Sequence, residues 1–134
     1  MAGSFLDTNV LIHLASHDLN KATRAEQLLR AGGTISVQVL NELANVGRRK
    51  MRLSWPELAD FLALIRSLLT VTPLTVEVHE RGLDLASRHN LSLYDAMIAA
   101  AALQSGCDTL WSEDMQHGMT IERRMRIANP FREG

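Results

Sequence analysis

The chain has 134 residues, the size of one ordinary domain. Its formal net charge is -1, which does not indicate a strongly basic nucleic-acid binder. Hydrophobic residues make up 46% of it, enough for a core, while aromatic residues make up 4%, too few for a platform on which bases stack. Cys107 is the only cysteine, so no internal disulfide can form and a reducing compartment suits the chain.

Short apolar runs alternate with helical patterns along the chain. Residues 3–6 are predicted to form a buried strand that ends at Asp7, and residues 10–14 a short helix. Apolar residues at helical spacing predict a helix over residues 20–30, which Gly32 and Gly33 end. The remaining predicted elements are strand 34–36, helix 36–50, helix 54–69, strand 71–74, helix 75–90, helix 92–106, strand 109–112 and a minor strand 127–131.

This alternation is typical of an α/β domain. We predict one domain over residues 1–134, with a central, mostly parallel sheet of four to five strands and helices on both faces. The most apolar stretch, residues 96–103, is much shorter than the roughly 20 residues that span a bilayer, and the chain does not start with a signal-peptide pattern. We therefore expect a cytoplasmic protein that does not enter a membrane.

Four acidic residues lie where an apolar run gives way to a helix or loop, namely Asp7, Glu42, Asp95 and Asp114. Because the carboxyl ends of parallel strands meet at one edge of a sheet, where α/β proteins bind ligands, we expect these carboxylates to lie together. Carboxylates at close range repel each other unless a cation neutralises them. Oxygen ligands of this kind suit Mg²⁺, whereas zinc prefers His and Cys.

Each of these carboxylates also has a purely structural interpretation. Asp7 can cap the helix that follows it, and Asp95 stands in a capping-box position. Glu42 can be an exposed residue at the border of an apolar stripe, and Asp114 part of a polar loop in which Glu113 competes for any role. Asp95, however, heads a helix that is apolar all round, which aims its carboxylate toward the interior, where an unpaired charge is costly.

Cations would have to surround an acidic site that acts on nucleic acid, because the acidic residues themselves repel phosphates. Arg48, Arg49 and Lys50 end the helix that carries Glu42 and are candidates for contacts to nucleic-acid phosphates. A solvated polar helix end is the alternative interpretation of the same three residues. Both interpretations remain open from the sequence.

Four segments carry the acidic residues, and a closing Asn129-Pro130-Phe131 follows them. They are Phe5-Leu6-Asp7-Thr8-Asn9, Ser36-Val37-Gln38-Val39-Leu40-Asn41-Glu42, Leu91-Ser92-Leu93-Tyr94-Asp95-Ala96 and Leu110-Trp111-Ser112-Glu113-Asp114. In this order and spacing, over nearly its whole length, the chain resembles the PIN-domain ribonucleases, in particular the VapC-type toxins of bacterial toxin–antitoxin pairs.

The resemblance implies a metal-dependent endoribonuclease in which the four acidic residues hold Mg²⁺ or Mn²⁺, with Asp7 and Asp95 as direct ligands. Asn9 would orient the site by hydrogen bonding, and Ser112 stands where the family often has threonine, so that its hydroxyl would serve the same purpose. The resemblance also implies a homodimer, inhibited by a small antitoxin whose tail fills the acidic groove.

Two other classes of function use the same residues. One is a catalytically silent PIN-like module that binds RNA or a protein partner through the acidic cluster. The other is a phosphatase or DNase, since carboxylate–Mg²⁺ chemistry does not distinguish RNA from other phosphoesters. The sequence names neither the RNA target nor the antitoxin.

Overall fold

The computed structural model describes residues 3–132, in which strands and helices alternate as the sequence predicts. Some boundaries move by a few residues; the first helix, for example, begins at Thr8 because Asp7 caps it. The elements are β1 Ser4–Leu6, α1 Thr8–Ile12, a 3-10 turn His13–Ala15, α2 Leu19–Ala31, β2 Thr34–Ser36, α3 Val37–Arg49, α4 Trp55–Leu68, β3 Thr70–Thr72, α5 Val76–Arg88, α6 Leu93–Gln104, β4 Thr109–Trp111, β5 Thr120–Ile121 and β6 Met125–Ala128.

The strands form one sheet in the order β3-β2-β1-β4-β6-β5. Every neighbouring pair is parallel except β5 and β6, so the predicted mostly parallel α/β sheet is confirmed. The sheet has six strands, one more than the four to five predicted, and the strand that was not predicted is β5. It has two residues and is joined to the antiparallel β6 by a turn that contains Glu122 and Arg123. Both of these residues have positive φ, as tight hairpin turns require, and so short a strand leaves no pattern in the sequence.

Both faces of the sheet are covered. Phe5 and Leu6 follow each other in β1 and are both buried, although successive side chains of a strand point to opposite faces. Ile35, Leu110 and Ile127 continue this core through β2, β4 and β6. The apolar runs of the sequence are therefore the middle layer of a three-layer arrangement.

The fold collects three strand ends at one edge of the sheet. β1 pairs in parallel with both β2 and β4, and Leu6 lies opposite Trp111 at their last residues. The pairing continues one step further, because the backbone N–H of Asp7 donates to the carbonyl of Trp111 at 2.9 Å. This carboxyl edge is where the residues after β1, β2 and β4 must meet.

Helix α6 is buried along most of its length, as its sequence predicts. Every residue from Ala96 to Leu103 is buried, and five of these eight are alanine. The small side chains allow α5 to pack closely, with Gly82 of α5 facing Met97 of α6. Among residues 3–132, no helix has the length and apolar character needed to cross a membrane.

Candidate functional site

The carboxyl edge of the sheet opens into a cleft of about 290 Å³, which we call the acidic cleft, and all four predicted acidic residues line it. Asp7 follows β1, Glu42 lies in the second turn of α3, Asp95 is in the first turn of α6, and Asp114 is in the loop after β4. The other lining residues are Thr8, Asn9, Ile12, Asn45 and Val46. Residues up to 107 positions apart in the chain thus meet in one place.

Asp7 is the most buried of the four carboxylates, with 3% of its surface exposed. Its Oδ1 accepts from the Thr8 N–H at 2.7 Å, and its Oδ2 accepts from Ser112 Oγ at 2.8 Å and from Asn9 Nδ2 at 3.2 Å. Asp7 therefore caps α1 and lines the acidic cleft at once, so its two interpretations are compatible. Asn9 and Ser112, which the resemblance implies as orienting residues, both contact Asp7, and their role in orienting the site stays a prediction.

Burial raises the pKa of Asp7 to about 7, and the charges of Asp95 and Glu42 add to this rise, whereas hydrogen bonds from Ser112 and Thr8 act against it. The carboxyl group is thus held in place by donors yet is poorly solvated when ionised. A cation in the acidic cleft would stabilise the ionised form.

Glu42 is held by two side chains whose roles the sequence did not reveal. Thr8 Oγ1 donates to one of its carboxylate oxygens at 2.6 Å, and Gln38 Nε2 donates to the other at 2.8 Å. Gln38 is one helical turn before Glu42, a spacing that allows such contacts. Thr8 lies inside the Asp7-Thr8-Asn9 segment, but only the tertiary fold brings it to a helix 34 residues away.

Asp95 reaches the acidic cleft from the start of α6. Ser92 caps that helix by accepting from the Asp95 N–H at 3.3 Å. Partial burial raises the pKa of the Asp95 carboxyl, and the charges of Asp114 and Glu42 raise it further. The acidic residues therefore interact electrostatically across the cleft.

The structure separates Glu113 from Asp114, which the sequence left in competition. Glu113 accepts from Lys21 Nζ at 2.6 Å and contacts His13 Nε2 at 2.8 Å. Partial burial opposes ionisation of Glu113, but the hydrogen bonds from Lys21 and His13 outweigh it and lower its pKa. With Glu113 engaged by these two partners, Asp114 is the carboxylate of this loop that lines the acidic cleft.

Arg48, Arg49 and Lys50 do not line the acidic cleft. They follow Glu42 by six to eight residues, which corresponds to about 9–12 Å along a helix axis. Arg48 donates to the Leu53 carbonyl at 2.7 Å and lies over the Trp55 ring at 4.1 Å, so it stabilises the turn into α4. A role for these residues in RNA binding stays a prediction.

The chemistry of the acidic cleft fits a hard divalent cation. Within residues 3–132, no three His, Cys, Asp or Glu side chains are arranged as a finished metal site. Mg²⁺, however, usually keeps several waters and binds through only one or two carboxylates, so it does not require such a closed cage. Carboxylates with amide and hydroxyl neighbours form a donor set that suits Mg²⁺ or Mn²⁺ better than zinc.

Comparison of the sequence with protein families gives one result that spans most of the chain. Residues 4–118 match the model of the PIN domain family. The matched region contains all four acidic residues of the cleft. No protein of curated function matches the chain significantly.

Solved structures with the same fold include several toxins. A toxin–antitoxin complex from Klebsiella pneumoniae is 26% identical with a TM-score of 0.70, over 95% of this chain and 97% of that one. Mycobacterium tuberculosis VapC20, described as a sarcin–ricin loop cleaving toxin, is 22% identical with a TM-score of 0.66, over 83% and 89%. DNA-bound VapBC from Salmonella typhimurium is 21% identical with a TM-score of 0.66, over 97% and 99%.

The raised pKa of Asp7 predicts a specific pH dependence in the metal-free protein. The group titrates near 3.8 when exposed and near 7 when folded, so the folded state binds its proton more tightly. Its contribution to the free energy of unfolding is full below pH 3.8 and is lost as the pH rises to about 7, by up to about 4 kcal/mol. Asp7→Asn should remove this loss.

Urea unfolding in EDTA at several pH values from 4 to 8 gives the free energy of unfolding of the wild type and of Asp7→Asn. The predicted effect is the change with pH in the difference between these two free energies. Asp60→Asn, at an exposed position of α4, is the matched control and should follow the wild type. Identical pH profiles for the wild type and Asp7→Asn would contradict the prediction.

Proposed function

Because this chain belongs to the PIN domain family, we propose that it is a metal-dependent endoribonuclease that hydrolyses RNA phosphodiester bonds. The observation that carries the proposal is the convergence of Asp7, Glu42, Asp95 and Asp114 on one cleft. The toxin–antitoxin complex from Klebsiella pneumoniae and the sarcin–ricin loop cleaving toxin support the further proposal that the chain is the toxin of a VapBC-type pair. We propose that it acts in the cytoplasm.

Asp7 and Asp95 are the residues that we propose as direct ligands of Mg²⁺ or Mn²⁺. Glu42 and Asp114 would complete a second ion site or position water. When bound, such an ion neutralises charge on the scissile phosphate and makes water a stronger acid. The other side chains of the acidic cleft act by orienting these four carboxylates.

The neighbours of the carboxylates have orienting roles. Ser112 and Asn9 hold Asp7 Oδ2, and the Thr8 N–H holds Oδ1, so the Asp7 carboxylate cannot rotate freely. Thr8 and Gln38 hold both oxygens of Glu42 in the same way. Asp114 is exposed, so it is placed to accept a hydrogen bond from incoming water. Fixed acceptors of this kind lower the reorganisation that hydrolysis requires.

An antitoxin is the protein partner that the proposal requires, with its tail in the acidic cleft. A second surface suits the rest of such a partner: an apolar groove of about 620 Å³ between α2 and α4. Leu29 and Phe61 line it, together with Leu64 and Leu68, which are 52% and 42% exposed. An apolar partner segment would bury these side chains.

A homodimer is the assembly that we propose for the chain. Val76 and Tyr94 are 71% and 65% exposed, and with Leu74 and Leu93 they line an apolar groove of about 420 Å³. Apolar surfaces of this kind commonly mark protein interfaces. Tyr94 directly precedes Asp95, so a second copy on this surface would lie beside the acidic cleft.

Asp95→Asn should abolish RNA cleavage by the purified chain. Loss of a proposed ligand should lower the rate by more than about 100-fold, since loss of an outer partner of a ligand already costs 10–100-fold. The assay follows a cellular RNA pool with Mg²⁺, with EDTA and with the variant. Asp60→Asn, exposed on α4, is the control and should cleave as the wild type does.

A substrate panel separates the alternatives in the same experiment. Cleavage of single-stranded DNA or of p-nitrophenyl phosphate, but not of RNA, would favour the DNase or the phosphatase. If folded protein that binds Mn²⁺ cleaves nothing in the panel, the endoribonuclease proposal fails and the silent binding module is favoured.

Expression of the chain without a partner should arrest growth of a bacterial host if it is a toxin. Asp95→Asn should relieve the arrest, because the cleft would lose a carboxylate while the fold is kept. Growth curves after induction, with equal protein levels confirmed by blotting, measure this. Equal arrest by the wild type and by Asp95→Asn would refute toxicity through RNA cleavage.

Val76→Asp should convert the homodimer to a monomer. Val76 is the first residue of α5, where an acidic side chain favours the helix, so the fold should be kept. Light scattering should give twice 14.9 kDa for the wild type and 14.9 kDa for the variant. Leu19→Asp is the matched control, since Leu19 is the first residue of α2 and is 77% exposed. A monomeric wild type would overturn the proposal.

A further inference from the structure

A groove of about 250 Å³ lies between the start of α2 and the segment after β6. We call it the basic groove, because three of its lining side chains are cations. It is lined by Asn20, Lys21, Arg24, Pro130, Phe131 and Arg132. None of these residues was selected from the sequence for contacts to RNA.

The basic groove adjoins the acidic cleft. Lys21 contacts Glu113 at 2.6 Å, and Glu113 directly precedes Asp114 of the cleft. The Arg24 guanidinium lies over the ring of Trp111, 5.4 Å from its centroid. The carbonyl of Trp111 in turn accepts from the N–H of Asp7. Both grooves therefore lie along the same carboxyl edge of the sheet.

Arg24 is held in a defined position. Its Nε donates to the Pro130 carbonyl at 3.2 Å, and its guanidinium lies over the Trp111 ring. The only other hydrogen bond of the guanidinium described within residues 3–132 is a long one, 3.5 Å, from Nη1 to the Gln27 side-chain oxygen. A guanidinium fixed through Nε can offer its terminal nitrogens to a phosphate as a bidentate pair.

The charge of the basic groove comes mainly from two arginines. Glu113 offsets Lys21, and Asp18 caps the same end of α2. Across the part of the chain that the structure describes, neither Arg24 nor Arg132 forms an ion pair with a carboxylate. An anionic ligand would thus meet two guanidinium groups beside an acidic cleft that cannot attract it.

We propose that the basic groove binds the RNA backbone next to the acidic cleft, with one phosphate on Arg24 and a neighbouring phosphate on Arg132. The inference rests on the proposed endoribonuclease function and names the path of its substrate. On this proposal, the contacts to RNA phosphates that do not depend on base sequence come from α2 and residues 129–132. They do not come from Arg48, Arg49 and Lys50 at the end of α3.

The test measures RNA binding separately from cleavage. A fluorescein-labelled single-stranded RNA of mixed sequence is titrated with Asp95→Asn protein, in which cleavage is blocked, at a series of KCl concentrations. Added to this background, Arg24→Gln should weaken binding about tenfold, the loss of one charge-assisted contact. It should also make the slope of log K against log salt shallower by about 0.7.

Arg66→Gln is the matched control. Arg66 is exposed on α4, one helical turn before β3 begins. Because β3 is the outermost strand on the side of the sheet away from β6, loss of Arg66 should leave binding unchanged. Arg132→Gln tests the second contact at an exposed position, where no side-chain hydrogen bond or ion pair to residues 3–132 is lost. Compared with Arg24→Gln, Arg24→Lys should restore the salt slope but only part of the affinity. Lysine keeps the positive charge but lacks the paired nitrogens with which a guanidinium binds a phosphate bidentately.

The outcomes separate this proposal from the proposed function. If Arg24→Gln and Arg132→Gln bind RNA as Arg66→Gln does, the basic groove is not the RNA path, even where the wild type cleaves RNA. If both weaken binding while the wild type cleaves nothing, the RNA path stands and the endoribonuclease proposal falls.

Discussion

The buried carboxylate of Asp7 is the constraint on which the rest of the site depends. With 3% of its surface exposed, it cannot rely on water, so Ser112, Asn9 and the Thr8 N–H hold it in place. Two of these donors belong to α1 and the third is the residue after β4, so they tie the residue after β1 to the end of β4 at the carboxyl edge. The same burial makes the ionised form costly and favours a cation in the acidic cleft.

The fold separates charges of opposite sign along one edge of the sheet. The residue after β1, helix α3, the start of α6 and the loop after β4 bring acidic residues together, whereas α2 and residues 130–132 bring cations together. A site for phosphodiester hydrolysis needs both, because carboxylates that hold a metal repel the substrate. The loop after β4 divides the two regions, since Glu113 pairs with Lys21 while Asp114 lines the acidic cleft.

Close packing behind the acidic cleft limits the movement of the carboxylates. Helix α6 is buried from Ala96 to Leu103 and presents Asp95 at its first turn, so this carboxylate is attached to the rigid core. Glu42 is partly exposed on α3, and Thr8 and Gln38 hold both of its carboxylate oxygens by hydrogen bonds. Rigid support from the backbone and from neighbouring side chains is what a preorganised site requires.

The sequence by itself determined the α/β class and the order of the elements, because apolar periodicity is a local pattern, and it predicted four acidic site residues that line one cleft in the structure. It left β5 unseen, since two residues form no pattern, and it left Glu113 and Asp114 in competition. It selected Arg48, Arg49 and Lys50 for RNA and passed over Arg24, whose position beside Trp111 depends on the packing of α2 against β4. Only the tertiary structure decides such contacts, because they join residues that are distant in the chain and leave no periodic signal in it.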